Sequence, residues 1–207
     1  MRRYLSSKCG FGFFKVCGIV SLFLSLFILL LFRPERSYPQ QGAPSGFPDP
    51  SEIEEIVPRF AEASSILVPQ IGPGGKDLFA PRKAIDGDWA TCWAEAAQGP
   101  GVGEWIRVLW LTQEVPTYVS VLPGWAKNKA RWENNPRIKV AEIVLSNGYR
   151  QDAHFEDKMQ MQMVALNNSQ PADWLKIVIQ EVYPGKRFED TSISEIKVFK
   201  NKAGKQK

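Results

Sequence analysis

Past residue 64 the apolar residues of this chain come in short runs, many of them alternating with polar residues and cut by Gly, Pro and Asn. EWIRVLWL, TYVSVLPG, IKVAEIVLSNG, MQMVALN, WLKIVIQEVYPG and ISEIKVFK are rich in Val and Ile, the signature of half-buried strands. In the last of these, Ile196 and Val198 share one face while Glu195 and Lys197 share the other. No helical pattern is long enough for crossovers between parallel strands, so the strands must pair antiparallel and bury one face each against a second layer. That predicts an all-β sandwich, with Ser146 to Gly148 as a hairpin turn.

Ahead of the strands lies an uncharged run, Val16 to Phe32, extended by FGFF before Lys15. At about 1.5 Å rise per residue the run spans roughly 25 Å, and the extension brings it to a bilayer core of ~30 Å with Lys15 snorkelling. A cleaved signal peptide would end at a small-residue site, whereas this run exits through LLLFRPER, which favours an uncleaved anchor. Arg2, Arg3, Lys8 and Lys15 precede it, so the positive-inside tendency keeps the N-terminus cytoplasmic and sends the rest across the membrane. The expected map is a cytoplasmic segment 1–15, a membrane helix 16–32 contacting the lipid bilayer, a Pro-rich linker 33–63, a folded domain 64–200 and a loose basic tail 201–207. Within the linker, SEIEEIVPRFAEA reads as a turn or two of helix interrupted at Pro58.

The net charge of +4 looks like an appetite for nucleic acid until it is divided along the chain. Residues 1–36 hold six of the 26 Lys and Arg and one of the 22 acids, leaving twenty cations against twenty-one acids beyond them. The exported part is close to neutral, so the basic balance reflects topology and no nucleic-acid partner is expected. Cys9 and Cys17 lie in or beside the anchor and Cys92 stands alone beyond it, so no disulfide can staple the exported part; this suits a bacterial envelope protein.

Catalytic constellations are thin. His154, in YRQDAHF, is the chain's single histidine and sits far along the sequence from Cys92, which argues for a surface histidine and against a nucleophile–base pair. One His and one Cys cannot assemble a usual zinc site. GPGGKD lacks the Ser or Thr of a phosphate loop and GPGVGEWI leads into a strand, so both read as turns. The chain is expected not to be an enzyme.

The densest chemistry is in KAIDGDWATCWAE. Gly87 is free to make a tight turn, and Asp86, Asp88 and Thr91 offer hard oxygen ligands for Ca²⁺; the alternative is an Asx-type turn whose carboxylates cap backbone amides. Cys92, Trp89 and Trp93 are expected in the core, as are Trp105, Trp110 and Trp174 at strand positions. The order of KAIDGDWATCWAE, GPGVGEWI, PGW with its following WENNPRIK, SNG, WLKIVIQEVYPG and DTSISEIKVF resembles the discoidin-like (coagulation factor V/VIII type C) superfamily, and most closely its NADase-type glycan-binding domain branch. The resemblance, over Ser64 to about Lys200, implies a discoidin-like (galactose-binding-domain-like) jelly-roll β-sandwich with a non-catalytic, carbohydrate-binding role. It also implies a structural Ca²⁺ between the DG loop and an acid of the last strand, which here maps to Asp86, Asp88, Thr91 and Glu195.

Ligand contacts in such sandwiches come from loops at one end, which points to the loop from Pro123 to Lys139. Trp125 and Trp132 would stack on a sugar ring, with Lys127, Asn135 and Arg137 donating to its hydroxyls or to an acidic group. Trp125 reads equally well as the plug of the sandwich end, while the polar neighbours of Trp132 predict that it is exposed. YPGKRFED, Tyr183 to Asp190, is a second candidate surface beside the DG loop or an ordinary turn. The chain is thus expected to present a lectin-like module outside the cytoplasmic membrane for a glycan or envelope polysaccharide, the alternative being an adhesion module of the same fold that docks a protein partner.

Overall fold

The computed structural model describes residues 48–68 and 78–202. The expected membrane helix 16–32, most of the linker, the glycine turn at 72–77 and the tail beyond residue 202 lie outside the described residues. Among the described residues no helix is long and apolar enough to cross a membrane.

Ten strands make two packed layers. In chain order they are β1 (Ile53–Ile56), β2 (Phe60–Ala63), β3 (Trp93–Ala94), β4 (Trp105–Glu114), β5 (Tyr118–Pro123), β6 (Arg137–Leu145), β7 (Arg150–His154), β8 (Gln162–Ala165), β9 (Ala172–Tyr183) and β10 (Ser192–Asn201). One layer runs β2-β4-β9-β6 with β7 paired to β6, and the other carries β10, β5 and β8 with β1 and β3 also paired to β10. All of these pairings are antiparallel. The layers meet in a parallel contact at Ser192 and Arg137, where β10 touches β6.

Alternation of side chains explains the core. Ile106, Val108 and Trp110 of β4, with Leu175, Ile177 and Ile179 of β9 and Ile143 of β6, point inward against Val119 and Val121 of β5 and Ile196 and Val198 of β10. Trp93 is fully buried and donates its indole N–H to the Ser65 carbonyl at 3.0 Å, while Cys92 is buried beside Phe79 and Ala94. The hairpin turn after β6 has Gly148 at φ 91°, as the SNG sequence predicted.

Two expectations change. The acidic segment is not helical: Ile53 and Ile56 are buried on β1 against β10, and β2 is an edge strand on β4, so the sandwich begins ahead of residue 64. Edge pairing outweighs the helical preference of the glutamates because their side chains stay in solvent while the isoleucines are covered. Trp110 is buried, but Trp89 in the DG loop is half-exposed, and Trp105 and Trp174 stand on the outer face of β4 and β9, half-exposed, with the Arg107 guanidinium 5.7 and 5.3 Å from their ring centres. Their strand positions have the opposite parity to the inward Ile106, Val108 and Leu175.

Gly124, just past β5, sets the loop end. Its φ is 81°, and a Cβ there would lie 2.5 Å from Arg137 Cγ and 2.9 Å from Trp132 Cδ1. Gly124→Ala is expected to lose about 2 kcal/mol or more of stability, combining the left-handed backbone with a clash against buried side chains. Urea unfolding measures it; a wild-type midpoint would show that the loop yields freely.

Candidate functional site

The starts of β6 and β10 and the ends of β5 and β9 lie at one end of the sandwich, and the loops joining them form the candidate site. The DG loop is built around one side chain. Thr91 Oγ1 lies 3.2 Å from Lys83 O, 2.9 and 3.0 Å from Asp86 Oδ1 and Oδ2, and 2.9 Å from Asp88 O. A hydroxyl owns one hydrogen, so it cannot satisfy four oxygens at once. Asp86 Oδ1 also accepts the Asp88 amide at 3.0 Å, Asp88 Oδ1 accepts the Ala90 amide at 3.0 Å, and Lys83 Nζ is 3.4 Å from Asp86 Oδ2. The Asx turns and the proton-poor oxygen cluster are therefore both present.

Glu195 completes this cluster from β10. It is buried at 2 % exposure, and its Oε2 has no hydrogen-bond partner among the described residues. Burial raises its carboxyl to about 7; Lys197 lowers it, Asp86 raises it and the Gly87 amide, which it accepts, lowers it again. Among the described residues no group of three or more His, Cys, Asp and Glu side chains is assembled. The oxygens that gather here are the Asp86 carboxylate, the Thr91 hydroxyl and the carbonyls of Lys83 and Asp88, with the Asp88 carboxylate turned to the Ala90 amide and Glu195 facing Asp86 from β10; oxygen donors of this kind suit a hard ion such as Ca²⁺.

Trp125 ties the DG loop to the next one. Half-buried, it donates its indole N–H to Ala90 O at 2.8 Å and meets the Phe79 ring edge-on at 5.3 Å, while the Arg131 guanidinium lies 4.8 Å from its ring centre. Both readings of this residue have substance: it closes the end of the sandwich and still meets solvent. Lys127 is exposed.

The other three expected ligand contacts are scaffold. Trp132 sits on a short helix, α1 (Lys129–Asn134), capped by Asn128, whose side chain accepts the Arg131 amide. It is 9 % exposed, donates to Pro123 O at 2.9 Å and is covered by Arg137 at 4.5 Å, so its polar neighbours face solvent while it turns inward. Arg137 is itself buried, forked onto Asp157 at 2.9 and 2.8 Å and bonded to Asn135 O and Pro184 O, both at 3.1 Å. Asn135, also buried, donates to Arg131 O at 2.7 Å. YPGKRFED lies against α1, through Lys186 N to Glu133 O at 3.0 Å and Phe188 N to Asn134 O at 2.9 Å. Arg131 was missed because a helical residue in a polar loop gives no sequence sign that it folds back onto an indole.

A second buried carboxylate braces the neighbouring glycine loop. Glu95 is fully buried, accepting the amides of Thr191 and Ala97 at 2.7 Å each, and a Cβ on Gly101 would meet its side chain. Burial raises its carboxyl above the usual range. A cavity of about 280 Å³ lies at the opposite end, beside Trp110, Glu54 and Glu114, where Lys200 is already paired with Glu114 at 2.8 Å.

This geometry defines a two-layer β-sandwich with a braced loop end, the discoidin-like class. The chain belongs to the family described as NAD glycohydrolase translocation F5/8 type C domain, which matches residues 56–199. The family 32 CBM (carbohydrate-binding module) from C. perfringens NanJ, solved in complex with galactose, has a TM-score of 0.54 at 20% identity, covering 72% of this chain and 99% of that one. CpGH89CBM32-5 from Clostridium perfringens, solved with GalNAc-β-1,3-galactose, has 0.51 at 18%, covering 67% and 93%. Arabinofuranosyltransferase AftD from Mycobacteria has 0.52 at 18%, covering 72% of this chain and 12% of that one. At these identities the likeness concerns the fold. No curated protein matches the chain.

A pH dependence follows from Glu195. Its folded-state carboxyl, at about 7, lies above the 4.5 of a free glutamate, so between these values the folded chain holds a proton that the unfolded chain has lost. Its contribution is full below pH 4.5 and is lost as pH rises through 7, up to about 3 kcal/mol. In chelator, unfolding free energy should fall over that window, and Glu195→Gln should flatten the fall; an unchanged slope in the variant would assign it to other groups.

Proposed function

We propose that this chain is a non-catalytic carbohydrate-binding module that takes its ligand at the loop end, on the exposed part of Trp125. The observation that carries the reading is that indole: it is braced by Ala90, Phe79 and Arg131, half-buried, with exposed Lys127 two residues along the same loop, an aromatic platform with cationic donors on its loop. The likeness to carbohydrate-binding modules solved with galactose and with GalNAc-β-1,3-galactose supports it. The buried Trp132, Asn135 and Arg137 hold the loop beneath the platform and do not touch the ligand. On a glycan array, the full chain is expected to bind selected sugars and Trp125→Ala to lose roughly tenfold or more in affinity, with thermal melting monitored for folding. A blank array from folded protein would refute the reading.

Ca²⁺ is proposed as a structural ligand of Asp86, Asp88, Thr91 and Glu195, supported by the unpartnered Glu195 oxygen and the shortage of protons around Thr91. Added calcium should raise the melting temperature by several degrees, and Glu195→Gln should abolish the rise; no shift in the wild type would rule the ion out.

The module is proposed to be held by a membrane helix at 16–32, with the N-terminus cytoplasmic and the domain outside the cytoplasmic membrane, supported by the uncharged run and its flanking cations. A second reading, docking of an envelope protein, is favoured by one surface: the outer face of β2 and β4 exposes Phe60 at 60 % and Leu111 at 73 % near Trp105 and Trp174. Competition separates the two, because free sugar displaces a glycan ligand and not a protein on that face.

A further inference from the structure

The charges of the α1 loop do not balance, and the imbalance sits on the indole. Across residues 127–133 the loop carries Lys127, Lys129 and Arg131 against a single acid, Glu133. That acid is taken: Lys186 Nζ is 2.6 Å and Lys129 Nζ 3.7 Å from its carboxylate oxygens. Lys127 and Arg131, both exposed, have no acidic partner among the described residues. The two acids of the DG loop, which meets this loop where Trp125 donates to Ala90 O, are engaged within it, Asp86 with Thr91, Lys83 and the Asp88 amide, and Asp88 with the Ala90 amide.

Arg131 is also held in place. Its guanidinium lies over the Trp125 ring, 4.8 Å from the ring centre, while its side-chain N–H groups donate to nothing among the described residues. A guanidinium already ordered by an aromatic ring presents a fork that matches a carboxylate and loses little entropy in using it. The same arginine lies over one face of the indole, so a neutral sugar stacking on that face has to displace it, whereas an acidic sugar can bind its fork.

We propose, resting on the glycan reading above, that the loop end selects acidic glycans, with a uronate carboxylate taken by the Arg131 fork and the Lys127 ammonium beside Trp125. Charge-assisted contacts of this kind correspond to a preference of roughly ten- to hundredfold over the neutral sugar, weakening with salt.

The test is calorimetric titration of the full chain, in a detergent without a sugar headgroup. Oligosaccharides of galacturonate, glucuronate and mannuronate are each compared with their carboxyl-reduced form, and inorganic phosphate is titrated separately. At least one uronate should bind ten- to hundredfold tighter than its reduced counterpart. The preference should vanish in the Lys127→Ala, Arg131→Ala double variant, whose melting temperature reports folding, while Arg131→Lys should keep part of it. Equal binding of every pair, or a preference that survives the double variant, would overturn the proposal and leave the glycan reading standing. Phosphate binding as tight as uronate would show a site for free anions, overturning the proposal. Failure of every sugar, acidic or reduced, would remove the glycan reading and this inference with it.

Discussion

The start of β10 is the joint on which both layers and the loop end depend. The strand pairs with β1, β3 and β5 and touches β6 at Ser192, so it belongs to one sheet and closes onto the other. Its first residues are polar and yet buried, Ser192 at 1 %, Ser194 at 0 % and Glu195 at 2 %. Ser192 O accepts the Gly124 amide, Ser194 Oγ accepts the Ala126 amide and Glu195 accepts the Gly87 amide. Both candidate loops are thus hung from neighbouring residues of one strand, where Ser194 Oγ is partnered while Ser192 Oγ and Glu195 Oε2 are buried without a partner among the described residues.

That arrangement separates what holds the site from what meets solvent. Arg137 illustrates the holding part: stacked on Trp132, forked onto Asp157 and bonded to two carbonyls, it joins α1, β6 and the loops after β7 and β9. Removing it would uncover Trp132 and leave the carbonyl of buried Asn135 without this donor, a structural loss rather than the loss of a ligand contact. Lys127 and Arg131 sit above this base and can be altered with less consequence for the core, whereas Trp125 also packs on Phe79 and the small cluster beneath it.

The sequence was informative where a residue's own neighbours decide its fate. Period-2 alternation in β4, β9 and β10 was legible because one face is covered along the whole strand, and Gly148 was legible because a hairpin needs a left-handed residue there. It misled where a distant partner decides. Glutamates in IEEI favour helix until β10 covers the flanking isoleucines. WENN looks solvated until α1 turns its one tryptophan towards Pro123. Arg137 looks like a ligand donor because Asp157, which occupies it, is twenty residues away in the chain. For Glu195 the anomaly was visible as an acid in an apolar closing strand, although its unpartnered oxygen required the fold.

The DG loop and the platform are not independent. Trp125 hangs its indole N–H on Ala90 O, and Ala90 donates its own amide to Asp88, one of the oxygen donors around Thr91. An ion that fixes Asp88 therefore fixes the carbonyl that orients the indole, two bonds away from any sugar. By linkage the dependence would be reciprocal: whatever tightens the indole against Ala90 would tighten an ion bound there by the same free energy. A loop of carboxylates beside a cationic rim is then no contradiction, because a divalent ion would neutralise the acids and leave the rim's positive field unopposed.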